Sequence, residues 1–155
     1  MNKVNPVKYY LNKNRHSMNT GKFNRVNFEI NKLTPDKTSV VFLKKIAENT
    51  VKIIKLKGFN EISIAIVCNT RMKNLNRKYR GKNETTDVLA FDYGEIFICL
   101  PQAKRQAKKI KHSLKKELAI LLIHGILHLA GYNDRTKSGY NKMVKLQEDL
   151  CQRTI

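Results

Sequence analysis

Acidic residues, cysteines and long apolar runs are all scarce in this chain, and each scarcity argues against a class of protein. Three cysteines, Cys68, Cys99 and Cys151, are odd in number, far apart and without a Cys-x-x-Cys pair. That argues against a disulfide framework and against a thiolate zinc knuckle, and it fits a reducing cytoplasm. The longest apolar stretch, about Leu118 to Ala130, is broken by two histidines and is too short to span a bilayer. Met1 to Lys13 carries basic residues but no apolar segment of the signal-peptide kind. The expectation is a soluble cytoplasmic protein with no membrane contact and no internal repeat.

The shortage of acids is the largest departure. Twelve Asp and Glu face 31 Lys and Arg, for a formal net charge of +19 and a pI near 10.0. A polyanionic partner follows from that field. A bias toward Lys, Asn and Ile, of the kind an AT-rich genome imposes on any protein, accounts for part of the same composition. What is present is otherwise ordinary for a folded domain: 155 residues, 41% hydrophobic and 28% charged, are enough for one core.

Residues 1–24 are polar, basic and Asn-rich without a period, which reads as a flexible extension. The folded domain is expected over 25–155. Val26, Phe28 and Ile30 alternate as in a half-buried strand, and Thr34-Pro35-Asp36 predicts the start of a long amphipathic helix that runs to Gly58. Ile62, Ile64 and Ile66 mark a second strand. Asn69 is the expected cap of a short helix carrying Met72, Leu75 and Tyr79, and Arg80 to Asp87 reads as an ordered loop. Two short strands then flank a turn at Asp92-Tyr93-Gly94. Pro101 opens a basic helix to about His112, Leu114–Leu129 is the most apolar helix, and Lys137 to about Cys151 is a last amphipathic one. Interleaved strands and helices give an α+β or α/β class. The expected arrangement is α+β, with a small mixed four-stranded sheet and about five helices.

The chemistry concentrates between Leu118 and Asp134. His124 and His128 are four residues apart, which stacks two imidazoles on one helix face within reach of a single ion. Gly131 is the residue type that ends a helix in the left-handed conformation, and the turn it allows can return Asp134 to the same ion. Two nitrogens and one carboxylate leave a fourth tetrahedral position for water, as a catalytic zinc site requires and a closed structural site does not. The competing account is two histidines on an apolar helix, with Asp134 capping the helix that begins near Thr136 or Lys137. Metalloproteases with a His-Glu-x-x-His helix share the geometry, but Gly125 stands where their general base would be. His16 and His112 receive no role.

At these residues the chain resembles the YbeY endoribonuclease family. That family's pattern reads His-Gly-x-Leu-His-Leu-x-Gly-Tyr-Asp-His, and His124-Gly-Ile-Leu-His-Leu-Ala-Gly-Tyr-Asn-Asp134 matches it here. The likeness extends upstream to Tyr79-Arg-Gly-Lys-Asn-Glu-Thr-Thr-Asp-Val-Leu-Ala-Phe91 and Gly94-Glu-Ile-Phe-Ile-Cys99, so it covers the chain from about Arg25 onward. Three departures stand out: Asp134 replaces the usual third His, Thr85 replaces a common Pro, and residues 1–24 have no counterpart.

The resemblance implies a zinc-dependent, single-strand-specific endoribonuclease. Its expected work is the maturation of ribosomal RNA, in particular the 3′ end of 16S rRNA, and ribosome quality control, with the ribosome or small-subunit proteins as partners. By motif position it also implies that Arg80 holds the scissile phosphate, with Lys82 a weaker candidate on the same RNA path; without it, Arg80 is one basic residue among 31. His124 and His128 are the expected catalytic ligands, and Asp134 the third. Thr86-Asp87 is expected to stabilise its loop. A non-catalytic, metal-stabilised RNA- or ribosome-binding module and a metalloprotease-like hydrolase are the other two readings.

Overall fold

A computed structural model describes residues 25–155, so the extension expected over 1–24, with His16 in it, lies outside the described residues. The elements run β1 (Asn27–Lys32), α1 (Val40–Ile54), β2 (Glu61–Val67), α2 (Asn69–Arg80), β3 (Val88–Phe91), β4 (Glu95–Cys99), α3 (Leu100–Ile110), α4 (Leu114–Leu129) and α5 (Lys137–Thr154). This is the α+β fold of four strands and five helices that the patterns implied. The sheet order is β1-β2-β4-β3, with β1, β2 and β4 parallel and β3 antiparallel to β4.

Period-two alternation divides the sheet into two faces. Ile62, Ile64, Ile66, Ile96 and Ile98 join Leu43 and Ile46 of α1 and Leu118, Leu122 and Ile126 of α4 in the larger cluster. On the other face Ala65, Val67, Leu89, Phe97 and Cys99 meet Met72 and Leu75 of α2. β4 is buried at every position, as expected of an inner strand covered on both sides.

Helix α4 is buried almost all round, which is why its sequence shows so little polar alternation. Ser113 caps it by accepting from the Lys116 N–H, and Gly125 lies against β4, where an added Cβ would stand 2.7 Å from Ile96 Cγ2. His124 and His128 are on the one stripe of the helix that stays partly open.

Three local expectations need correction. The first long helix begins at Val40 and is capped by Ser39, because Asp36 Oδ1 accepts from the Thr38 N–H at 2.6 Å in a local turn and Lys32 Nζ donates to the Asp36 and Thr38 carbonyls. It also ends at Ile54, with Lys55 left-handed, before Gly58. Asn69 does not cap α2: Cys68 is the cap residue, and Asn69 Oδ1 accepts from Cys99 Sγ and Gln102 Nε2 instead. Arg80 is the last residue of α2 and not part of a loop, the turn falling at Gly81 with φ +69°.

Candidate metal centre

The end of α4 builds the site. Ala130 is the cap, Gly131 is left-handed at φ +87°, and the N–H groups of Gly131 and Tyr132 donate to the carbonyls of His128 and Leu127 at 3.0 and 3.1 Å. These two bonds close a Schellman turn, a conformation that glycine reaches without a steric penalty. The chain folds back over the last helical turn, and the nearest atoms of His124, His128 and Asp134 come within 4.8 Å of one another. His124 Nε2 lies 3.0 Å from His128 Nε2 and 3.9 Å from Asp134 Oδ2. Donors on a tetrahedral ion with bonds of about 2.1 Å are separated by about 3.4 Å, so the spacing suits one zinc-sized cation.

The hydrogen bonds behind the ligands decide what the rings offer. His128 Nδ1 donates to the Tyr132 carbonyl at 3.1 Å, and His124 Nδ1 donates to Gln147 Oε1 of α5 at 2.8 Å. Each neutral ring then presents an unprotonated Nε2 to the other. Two lone pairs 3.0 Å apart require either an extra proton or a shared cation. Burial and the neighbouring His124 hold the His128 imidazole below its ordinary range, outweighing Asp134 and the Tyr132 carbonyl, which act the other way. An unprotonated pair of this kind is suited to sharing a cation.

Asp134 is free of the capping role that competed for it. The cap of α5 is Thr136, whose hydroxyl accepts from the Gly139 N–H at 3.0 Å. The turn before it is held tightly, since a Cβ at Gly139 would stand 2.4 Å from the Asn133 carbonyl oxygen. Asp134 is the most exposed of the three ligands, as expected for the mouth of an open site.

Arg80 ends α2, which packs on the other face of the sheet from α4, and its charge is a minor contributor to the lowered His128 pKa. Lys82 stands exposed two residues on. The 81–87 segment between α2 and β3 is tied down at several points. Buried Asn76 donates to the Glu84 carbonyl at 2.9 Å, Gln102 to Thr85 at 2.7 Å, and Gln106 to Asp87 Oδ2 at 2.8 Å, while Asp87 Oδ1 accepts from the Val88 N–H. Asp87 thus stabilises its segment, as the sequence suggested. Gln147, Asn76, Gln102 and Gln106 carried no signal in the sequence, since polar residues on an amphipathic helix are ordinarily solvated.

Gly125 packs against Ile96 of β4, and it leaves the site without the carboxylate that serves as general base in a His-Glu-x-x-His helix.

Comparison with known proteins identifies the family. The family model for endoribonuclease YbeY matches residues 25–154. Relatives named endoribonuclease YbeY include one from Geobacillus sp. (strain WCH70), 31% identical over 144 residues and spanning 81% of this chain and 91% of the relative. Another, from Aster yellows witches'-broom phytoplasma (strain AYWB), is 41% identical over 113 residues, spanning 64% and 77%. Among solved structures, the solution structure of TM1509 from Thermotoga maritima matches with a TM-score of 0.53 and 29% identity, over 81% of this chain and 90% of that one.

Proposed function

The chain belongs to the endoribonuclease YbeY family, and we propose that it is a zinc-dependent endoribonuclease that cuts single-stranded RNA, with ribosomal RNA, including the 3′ end of 16S rRNA, as its substrate. The observation that carries the metal reading is the convergence of two unprotonated Nε2 atoms and one carboxylate, each ring fixed by its own Nδ1 partner.

His124, His128 and Asp134 would hold the ion. So bound, zinc supplies an acidified water and polarises a phosphodiester oxygen. Gln147 and the Tyr132 carbonyl keep both imidazoles in the tautomer that points Nε2 inward. Arg80, at the end of α2, binds the scissile phosphate and stabilises the charge that develops on it. Its helix is fixed at that end by Gly81 and by the anchored segment that follows, which supports a fixed position for Arg80. Asp134 adds a negative charge that three imidazoles would lack, which makes the ion a weaker Lewis acid and ties it more firmly. Lys82 extends the basic path for the strand. Three free cysteines fit work in a reducing cytoplasm. Among the described residues no helix is long and apolar enough to cross a membrane. Ribosome quality control, in contact with the ribosome or small-subunit proteins, is the setting in which this activity would be used.

The test is metal content by elemental mass spectrometry together with cleavage of an unstructured RNA. Near one zinc per chain in the wild type, lost in His124→Ala together with cleavage, is the expected result. Wild-type protein that takes up no metal even when zinc is supplied would sink the proposal. An RNA-binding module in which metal only fixes the fold would instead unfold on His128→Ala.

A further inference from the structure

A second group of side chains, outside the metal centre, has no part in the chemistry above. Tyr79 of α2, Phe91 of β3 and Tyr93 of the hairpin turn form a continuous aromatic stack rooted in the core. Tyr79 meets Phe91 edge-on at 5.0 Å between centroids, and Tyr93 lies over Phe91 at 5.5 Å and 15° between planes. Phe91 is in turn edge-on to buried Phe97 at 5.9 Å. The two tyrosines are 47% and 56% exposed, too open for burial to explain their place in the stack.

The surroundings are electrically one-sided. α2 carries Arg71, Lys73, Arg77, Lys78 and Arg80 and no acid, and Lys78 Nζ lies 5.1 Å from the centre of the Tyr79 ring. The hairpin turn carries exposed Asp92 and no basic residue. A nucleic-acid strand on this surface has its phosphates drawn to the helix and repelled from the hairpin, which turns its bases toward the rings. Arg80, the residue next to Tyr79, closes the basic C-terminal end of α2.

We propose that Tyr79, Phe91 and Tyr93 form a base-stacking platform that grips unpaired nucleotides of the RNA while Arg80 feeds the adjoining phosphate to the metal centre. This inference rests on the endoribonuclease reading and adds the subsite that selects single strands. Rings take up unpaired bases through their π-faces whatever the base, and a duplex, whose bases are already stacked, has none to offer.

The test uses the zinc-loaded full chain and a nuclease-resistant phosphorothioate oligoadenylate of about 12 nucleotides, a length matched to such platforms. Binding is read by fluorescence anisotropy of an end-labelled oligonucleotide, because the chain has six tyrosines and the variants replace two of them. Tyr79→Leu and Tyr93→Leu each weaken binding by roughly tenfold or more, while Tyr79→Phe and Tyr93→Phe keep it near wild type. Binding of an RNA duplex of equal length is unchanged in all four. Leucine variants that bind the single strand like wild type, or that lose duplex binding equally, overturn the platform. Cleavage by the wild type separates the two readings. If it cuts unstructured RNA in a zinc-dependent way and the leucine variants bind normally, only the platform falls. A wild type that neither cuts nor binds RNA removes both.

Discussion

Each end of helix α4 pairs a histidine with a carboxylate, and the two ends do different things. At the start, His112 Nε2 is in direct contact with Glu117 Oε2, and both side chains are mostly withdrawn from water, at 16% and 5% exposure. At the finish, His124 and Asp134 are 26% and 43% exposed, stand 3.9 Å apart, and have a second imidazole beside them. The first pair satisfies itself. The second leaves donor atoms aimed at a common point, and that difference, not residue type, separates a structural contact from a candidate metal centre.

Exchanging the partners should break the comparison most clearly. Glu117→Ala strands His112 in a largely buried position and is expected to lower stability by about 3 kcal/mol or more without removing metal. His124→Ala is expected to abolish metal uptake and RNA cleavage while the fold persists. Thermal melts and elemental analysis of the two variants check both halves. A Glu117→Ala protein that melts like wild type, or one that loses its zinc while folded, would erase the distinction.

Glu95 supplies a third case, a buried carboxyl at 7% exposure that forms no ion pair among the described residues. Burial raises its pKa to about 7, against an opposing hydrogen bond with Tyr93. Because the folded state holds this proton more tightly than the unfolded one, the contribution to stability is full below about pH 4.5 and is lost as pH rises through about 7. The slope is at most about 1.4 kcal/mol per pH unit. Denaturant titrations between those limits should show the fall in wild type and a flatter profile in Glu95→Gln. Equal profiles would mean that the site is wetter than its burial implies.

Gln147 sharpens the comparison from the ligand side. Gln147→Ala removes the acceptor from His124 Nδ1 and should weaken zinc binding by about 10- to 100-fold. Competition with a chelator measures it, and unchanged affinity would show that the ring is oriented by packing alone. The smallest effect is expected in the middle of the helix. Gly125→Ala forces a methyl toward Ile96 and should cost about 1–3 kcal/mol, after the gain in helix propensity, with metal content retained. A more stable Gly125→Ala protein would mean that the helix shifts freely against β4.

The elements that the sequence disclosed well are those in which one local period dominates. β2 and α4 are readable because their apolar residues leave no ambiguity about burial, and the α4 turn is readable because its Gly is conformationally required. The start of α1 was misplaced because Asp36 spends its carboxylate on Thr38, a local alternative that competes with helix initiation and has the same residue types. Asn69 was misassigned because its partners, Cys99 and Gln102, lie 30 and 33 residues away.

The same division holds for the site. The i, i+4 histidines, the left-handed Gly131 and the short return to Asp134 are consequences of helix and turn geometry, so the sequence alone determined that these three side chains converge. Tertiary structure decided the rest: that Thr136 and not Asp134 caps α5, and that Gln147 comes across from α5 to orient His124. It also decided that Gly125 faces β4. The physical reason is range. Backbone stereochemistry acts over one helical turn and is written in neighbouring residues, whereas these contacts join elements whose approach depends on packing across the whole sheet.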